Sequence, residues 1–362
     1  MPLTSLNSTM RIGMVLNYRD GFAETVAELA DYEKAGLDIV FVPEAYSFDA
    51  VSQLGFIAAR TERLEIASGI LQIYTRTPAL TAMTAAGLDY VSGGRFTLGI
   101  GASGPQVIEG FHGVPYTAPL GRTRELVEIC RAVWRRERLT YQGRHYQIPL
   151  PSQASTAQRG TGLGKPLKLI NHPVRERIPI IIAAIGPKNV ALTAEIAEGW
   201  QPIFYLPELA DEVWGDSLSA GRAKRDRSLG DLDIVVNAPL AVTDDEHVAQ
   251  RLLDAVRPML ALYIGGMGAR GRNFYHNLAC RFGFRAAADL IQDRYLAGDK
   301  AAAAAAVPDQ LVAGASLIGP AGHVRERIEL LRTCGVTTLT VTPMAASAAD
   351  RIQLIEWLRD LA

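Results

Sequence analysis

Short runs of aliphatic and β-branched residues alternate with segments of helical period along most of this chain. The runs at 11–16, 38–42, 64–68, 96–100, 180–184, 199–203, 234–242 and 337–342 predict eight strands. Helices are expected at 25–35, 49–60, 78–92, 122–136 and 188–197, from Pro207, from Asp244, and at 348–361. Gly36 supplies a stop for the first helix, and Pro78 sits in the first turn of the third. Eight strand–helix repeats favour an α/β fold of the (β/α)8 TIM-barrel type over an open sheet. The reading is of one domain over 1–362, with insertions after the fourth and seventh strands at about 140–177 and 259–318. The first insertion is rich in Gly, Pro and Gln, with a short hairpin expected at 141–148; the second holds the alanine run 301–306. Two readings of these excursions stand side by side: covers that shape the barrel mouth, or solvated decoration and dimer surface.

Composition narrows the function classes. The chain has 362 residues, 48% hydrophobic and 21% charged, as expected for a folded chain with a large core. A formal net charge of −1 offers no electrostatic case for nucleic acid or a membrane surface as partner. Cys130, Cys280 and Cys334 lie far apart without metal-ligand spacing, which points to a reduced, cytoplasmic protein without a metal site. The first eight residues lack a basic and an apolar region, so no signal peptide is expected, and no run of about 18 apolar residues predicts a membrane span.

The segment from Gly94 to Pro105 is a short apolar strand running into a loop almost without side chains, where backbone can approach a ligand closely. It contains G-x-G-x-x-G at Gly99, Gly101 and Gly104. A dinucleotide-binding turn would need the third glycine to open a helix inside the first βαβ unit. Here three strand–helix units come first, and Pro105, Gly110, Gly113, Pro115 and Pro119 follow, so no helix is expected before Arg122. Glu125, at the spacing of a ribose-binding acid, falls inside that helix rather than at a strand end. At the end of the fifth strand, Gly186-Pro187 precedes a helix start whose free N–H groups and dipole suit a phosphate, with Lys188 adding charge. A plain helix start with a surface lysine is the alternative; the neighbouring glycine loop favours phosphate. His112, His145, His172, His247, His276 and His323 form no H-E-x-x-H pair, there is no G-x-S-x-G elbow, and Gly164-Lys165 lacks the P-loop pattern. A phosphate site without a nucleophile suggests that a cofactor carries the chemistry.

Several strand ends together resemble the bacterial-luciferase-like superfamily, most closely its branch that uses the deazaflavin coenzyme F420. They are Val42-Pro43-Glu44-Ala45-Tyr46 with Asp49-Ala50, Ala67-Ser68-Gly69-Ile70 with Tyr74-Thr75-Arg76-Thr77-Pro78, and Ser92-Gly93-Gly94-Arg95-Phe96 into Gly99-Ile100-Gly101. Ser103-Gly104-Pro105-Gln106-Val107-Ile108-Glu109-Gly110 and Gly186-Pro187-Lys188-Asn189-Val190-Ala191-Leu192, leading to Glu198-Gly199-Trp200, complete the set. The match covers nearly the whole chain and is similar to relatives of methylenetetrahydromethanopterin reductase. It implies a luciferase-like barrel, a homodimer paired through outer helices, and a non-prolyl cis peptide at Gly69-Ile70 behind the deazaflavin ring. It also implies a cofactor site made by Ala45, Ser68, Gly69, Ile70, Gly99, Gly101, Ala102, Ser103, Gly104, Ala184, Gly186, Pro187, Lys188 and Asn189.

The resemblance implies hydride transfer between the deazaflavin and a C=C, C=N or C=O substrate. A proton must also move, and Glu44, Glu109 and His112 are the candidates, a buried carboxyl being able to hold a raised pKa. For Glu44 the alternative is a hydrogen bond to backbone or cofactor, for Glu109 a solvated loop acid, and for His112 a structurally packed loop histidine. Arg76, Arg122 and Arg124 are candidates for the acidic coenzyme tail or for helix-surface charges. Deazaflavin-dependent glucose-6-phosphate dehydrogenases carry an Asp-His pair and a loop Glu where this chain has Glu44, Ala45 and Gly104, which argues against that sugar. Luciferase-type monooxygenases also place a His where Ala45 stands. An FMN-dependent monooxygenase is therefore the second reading, and a non-catalytic flavin- or deazaflavin-binding barrel the third.

Overall fold

The computed structural model describes residues 10–16, 21–151 and 161–361. The leading segment, on which the signal-peptide expectation rests, and residues 152–160 of the first insertion lie outside the described residues. Eight parallel strands close a barrel: β1 (Arg11–Val15), β2 (Ile39–Val42), β3 (Glu65–Ser68), β4 (Phe96–Gly101), β5 (Ile180–Ala183), β6 (Gly199–Gln201), β7 (Asp233–Val242) and β8 (Thr338–Pro343). Each strand pairs with the next, and Arg11 of β1 lies opposite Thr338 of β8 to complete the ring. A short strand, Leu317–Gly319, adds to the end of β7.

Side chains alternate across these strands, and the two faces bury different things. Ile39, Phe41, Ala67, Ile181 and Val235 form a cluster of their own inside the barrel, with Val15 against it. Val40 and Val42, one residue out of phase, belong to the larger layer between barrel and helices. All four β2 residues are therefore buried.

Prolines set where the helices begin. Pro78, Pro187 and Pro207 each sit at the first turn of a long helix, Pro78–Val91, Pro187–Ile196 and Pro207–Arg222, where a missing N–H costs nothing. The same logic corrects two expectations. A four-residue helix, Pro105–Ile108, follows Gly104 directly, and the next long helix, Pro119–Trp134, begins at Pro119 rather than Arg122. In both places proline's fixed φ starts a helix that hydrophobic period alone does not reveal. The short turn ends at Gly110, where a Cβ would lie 2.3 Å from the Gln106 carbonyl.

The first insertion carries an antiparallel hairpin, Tyr141–Gln142 with Gln147–Ile148. Buried Glu125 holds it: its carboxylate accepts the N–H groups of Arg144 at 2.9 Å, His145 at 3.0 Å and Tyr146 at 2.9 Å. The second insertion is helical. It leaves the helix Glu246–Ala261 through a π-helical turn, Leu262–Gly266, into Phe274–Arg281, Arg285–Leu296, Lys300–Ala305 and Asp309–Gly314. Among the described residues no helix is long and apolar enough to cross a membrane, and no group of three or more His, Cys, Asp or Glu could hold a metal ion.

Arg95 closes the barrel at its N-terminal end. Its guanidinium donates to the carbonyls of Ser92 (2.7 Å), Leu64 (2.6 Å), Ala58 (2.9 Å) and Thr61 (3.0 Å), tying the helix Ala50–Ala58 to the entries of β3 and β4. Replacing Arg95 with Met strands those carbonyls, and Arg95→Met is expected to lower unfolding free energy by about 2–4 kcal/mol in urea titrations. A loss within experimental error would show that water replaces the guanidinium there.

Candidate active site at the barrel mouth

The floor of the mouth is backbone. Ser68 ends β3, and its hydroxyl donates to the Gly99 carbonyl at 2.8 Å while accepting the Gly99 N–H at 2.9 Å. Strands β3 and β4 come so close that a Cβ on Gly99 would sit 1.8 Å from the Ser68 carbonyl oxygen. The next peptide, Gly69-Ile70, is cis, as the resemblance implies. Beneath it the Phe41 side chain fills the barrel, 3.0 Å from where a Gly69 Cβ would stand. Gly101 faces Ile70 and Ala183, with Ile70 Cδ1 at 2.8 Å from its hypothetical Cβ. The Ile70 side chain thus lies over Gly101, beside Ala183.

One wall is the loop after β5. The Ala184 carbonyl accepts the Trp200 indole N–H at 2.8 Å. The Ile185 carbonyl accepts the Trp214 indole N–H and an Arg281 N–H, each at 3.0 Å. Two fully buried tryptophans and an arginine of the second insertion therefore aim Gly186 and the helix it caps. Gly186 (φ −77°) and Gly104 (φ −122°) take angles open to any residue, and a Cβ on either would meet nothing within 4 Å. Packing requires glycine at 99 and 101, but the space above 104 and 186 is open. Lys188 is exposed at this helix start, and buried Asn189 Oδ1 has no partner among the described residues.

The opposite wall holds Glu44 in an ion pair. Its carboxylate takes both Arg76 nitrogens, at 2.8 and 2.9 Å, and the Ala50 N–H at 3.1 Å; Asp49 also bonds Arg76. Burial alone would raise the Glu44 pKa, but Arg76 and the Ala50 N–H outweigh it and hold the group below its ordinary value. Glu44 is thus an ion-paired carboxylate rather than a carboxyl poised to donate a proton. Arg76 is committed to it rather than free for a coenzyme tail. Arg124 pairs with Glu195 at 2.8 Å. Arg122 donates to the Thr117 carbonyl at 3.1 Å and lies over the Tyr74 and Tyr146 rings at 5.8 and 5.3 Å. Glu109 is exposed and accepts the Tyr116 N–H at 3.0 Å. His112 stands edge-on to Phe111 at 5.1 Å, with Nε2 buried and unpartnered among the described residues. Ala102 and Ser103 line the turn out of β4, Ser103 at φ +57°. Ala45 offers its carbonyl to Gln72 Nε2 at 2.8 Å.

Three contributors escape a reading from sequence. Gln72 is buried, and its Oε1 has no partner among the described residues. Turning its amide over would set two oxygens against each other at Ala45. Tyr263 and Tyr275 come from the second insertion, whose irregular turns carry no period to place them. A cavity of about 430 Å³ opens at the other end of the barrel, beside Arg11, Glu65 and Asp233. Arg11 pairs there with Glu65 at 2.7 Å and Asp233 at 3.6 Å.

The helix start at Gly186 and the glycine-rich end of β4 lie at the C-terminal ends of barrel strands, where (β/α)8 enzymes build their sites. The luciferase-like monooxygenase family profile matches residues 5–338, and the chain belongs to that family. A Mycobacterium tuberculosis protein provisionally named a coenzyme F420-dependent oxidoreductase is 41% identical, over 99% of each chain. The 5,10-methylenetetrahydromethanopterin reductase of Archaeoglobus fulgidus is 29% identical over 89% of this chain and 90% of its own. The solved structure of the coenzyme F420-dependent tetrahydromethanopterin reductase of Methanopyrus kandleri superposes with a TM-score of 0.78, covering 96% of this chain and 98% of its own. At 20% identity, that likeness establishes the fold.

The Glu44–Arg76 pair makes a signed prediction. Glu44's folded-state pKa is depressed, so its contribution is present above the ordinary value of 4.5 and lost as pH falls through the folded one. Glu44→Gln is expected to cost about 2 kcal/mol at pH 7, because Arg76 loses its buried partner. That gap should narrow in thermal melts as pH drops below the ordinary carboxylate range. A gap independent of pH would contradict an ionised Glu44.

Proposed function

We propose that this chain is a coenzyme F420-dependent oxidoreductase that transfers a hydride between the deazaflavin and an organic substrate at a C=C, C=N or C=O bond. The observation that carries the reading is the apolar surface where the Ile70 side chain lies over Gly101 and Ala183, in the same mouth as the open helix start at Gly186. A planar tricycle fits the first and a phosphate the second. The name of the 41% identical relative supports the same cofactor. When bound, the deazaflavin supplies two-electron hydride chemistry.

This chain's residues then have separate tasks. Gly99 and Gly101 let β3 and the Ile70 side chain pack against β4, and Gly69 and Ile70 back the ring. Gly104, Gly186, Pro187, Lys188 and Asn189 receive the phosphate and its linker. Gln72 Oε1 and Asn189 Oδ1 are buried acceptors that suit donors on the cofactor. Glu44 stays ionised and, with Arg76, holds the β2 loop. Glu109 is engaged by the Tyr116 N–H. We therefore assign proton exchange to His112, whose buried Nε2 lacks a partner among the described residues.

The protein is further proposed to pair as a homodimer through the helix Pro78–Val91. Leu80, Met83, Tyr90 and Val91 are 47%, 54%, 68% and 57% exposed and fall on one stripe of that helix. Met83→Glu is expected to give monomers in light-scattering chromatography, and an unchanged mass would place the interface elsewhere.

Equilibrium dialysis of the purified protein against F420 and against FMN tests the cofactor. Saturable, preferred F420 binding is expected; preference for FMN overturns the reading and favours an oxygen-dependent enzyme. Gly186→Ala separates fold from site. Its stability should stay within about 0.5 kcal/mol of the wild type. Its F420 affinity should fall about tenfold, because the new methyl occupies the phosphate approach.

A further inference from the structure

The second insertion brings a set of aromatic rings to the mouth. Phe204 lies just beyond β6, is 7% exposed, and holds φ +54°, a left-handed angle uncommon for a bulky residue. Its ring meets Tyr263 edge-on at 5.4 Å and Tyr275 at 6.4 Å, and the two tyrosines meet each other edge-on at 4.8 Å. Asn273, 1% exposed, locks this group together. Its Nδ2 donates to the carbonyls of Tyr263 at 3.0 Å and Ile264 at 2.8 Å. Its Oδ1 accepts the N–H groups of Tyr275 at 2.9 Å and His276 at 3.1 Å. Every hydrogen-bonding position of that amide is used, so the π-helical turn and the following helix move as one piece. Gly265 and Gly266 press against Tyr295 with no room for a Cβ, which packs the piece down from behind.

The rings face the cofactor side. Tyr116, whose hydroxyl donates to the Ser103 carbonyl of the glycine loop at 3.3 Å, is an electrostatic neighbour of Tyr275. Tyr46, beyond β2, is an electrostatic neighbour of Tyr263. The hydroxyls of Tyr263 and Tyr275 have no hydrogen-bond partner among the described residues, and burial pushes the pKa of both upward, so they remain neutral donors. Among the described residues no lysine or arginine is an electrostatic neighbour of Tyr263 or Tyr275 or lies over their rings. A charged substrate would lose hydration here without gaining a counter-ion. A flat ring would gain face and edge contacts with the aromatic group.

Building on the F420 reading, we propose that the substrate is an uncharged ring compound bearing a carbonyl, seated against Phe204, Tyr263 and Tyr275 with its oxygen accepting from a tyrosine hydroxyl. The rings set the face of the substrate, and Asn273 is a positioning residue that acts through them.

The test uses the full-length protein, with and without F420, and follows cyclohex-2-enone and glucose 6-phosphate by saturation-transfer NMR. Cyclohex-2-enone is expected to bind and glucose 6-phosphate not to. Tyr263→Phe and Tyr275→Phe keep the rings, and at least one should weaken cyclohex-2-enone binding about fivefold, the loss of one neutral hydrogen bond. Tyr275→Ala should weaken it more, and F420 affinity should stay within about twofold in all three variants, since the rings lie outside the apolar surface at Ile70 and Gly101. Stronger binding of glucose 6-phosphate, no binding of cyclohex-2-enone by the F420 complex, or ring binding indifferent to all three substitutions overturns the substrate class. Failure of the wild type to bind F420 counts against the cofactor reading instead, and is read separately by dialysis.

Discussion

The close passage of Gly99 under Ser68 is the contact from which the rest of the mouth follows. With a Cβ position only 1.8 Å from the Ser68 carbonyl oxygen, no other residue fits without moving β3 or β4. The Ser68 hydroxyl fastens the two strands by serving Gly99 as donor and acceptor at once. β4 runs on past the end of β3, and after the Gly69-Ile70 peptide the chain rejoins it, Leu71 opposite Ile100 and Gln72 opposite Gly101. The glycine spacing that imitates a dinucleotide fingerprint is therefore mainly a packing requirement of a barrel, and only Gly104 opens onto free space.

Around this floor the walls are held by side chains that reach backbone carbonyls. Trp200, Trp214 and Arg281 all end on the two residues before Gly186. Such bonds leave the loop few alternative conformations, which is the preorganisation a phosphate site needs. Arg281 belongs to the second insertion, and Phe282 beside it stands edge-on to Trp214 at 5.5 Å. One excursion from the barrel thus braces the loop before Gly186 and supplies Tyr263 and Tyr275 to the aromatic group at the mouth.

The barrel was legible because a strand buried on both sides must be apolar along its length, and β2 and β5 are. Proline-led helices could be read at Pro78, Pro187 and Pro207. They were missed at Pro105 and Pro119, where neighbouring glycines and prolines obscure the period. The site was half legible. Glycine at 99, 101, 104 and 186 marks close approach, but sequence does not say whether a strand or a ligand does the approaching. The Glu44–Arg76 pair was invisible because its partners lie 32 residues apart and meet only when β2 and β3 end together. Tyr263, Tyr275 and Asn273 were missed for a different reason. They sit at irregular turns, where neither period marks a face.

Trp200 and Trp214 lie 5.3 Å apart at 77°, and both donate to the loop that leads to Gly186. Two indoles so placed share their excited states. Their near-ultraviolet circular dichroism and emission depend on the carbonyls they touch. Trp134, bonded to the Ala82 carbonyl on the helix side, and Trp357, near Arg325, are not tied to that loop. The protein therefore contains both an optical reporter of the loop before Gly186 and an internal reference for it, without any label.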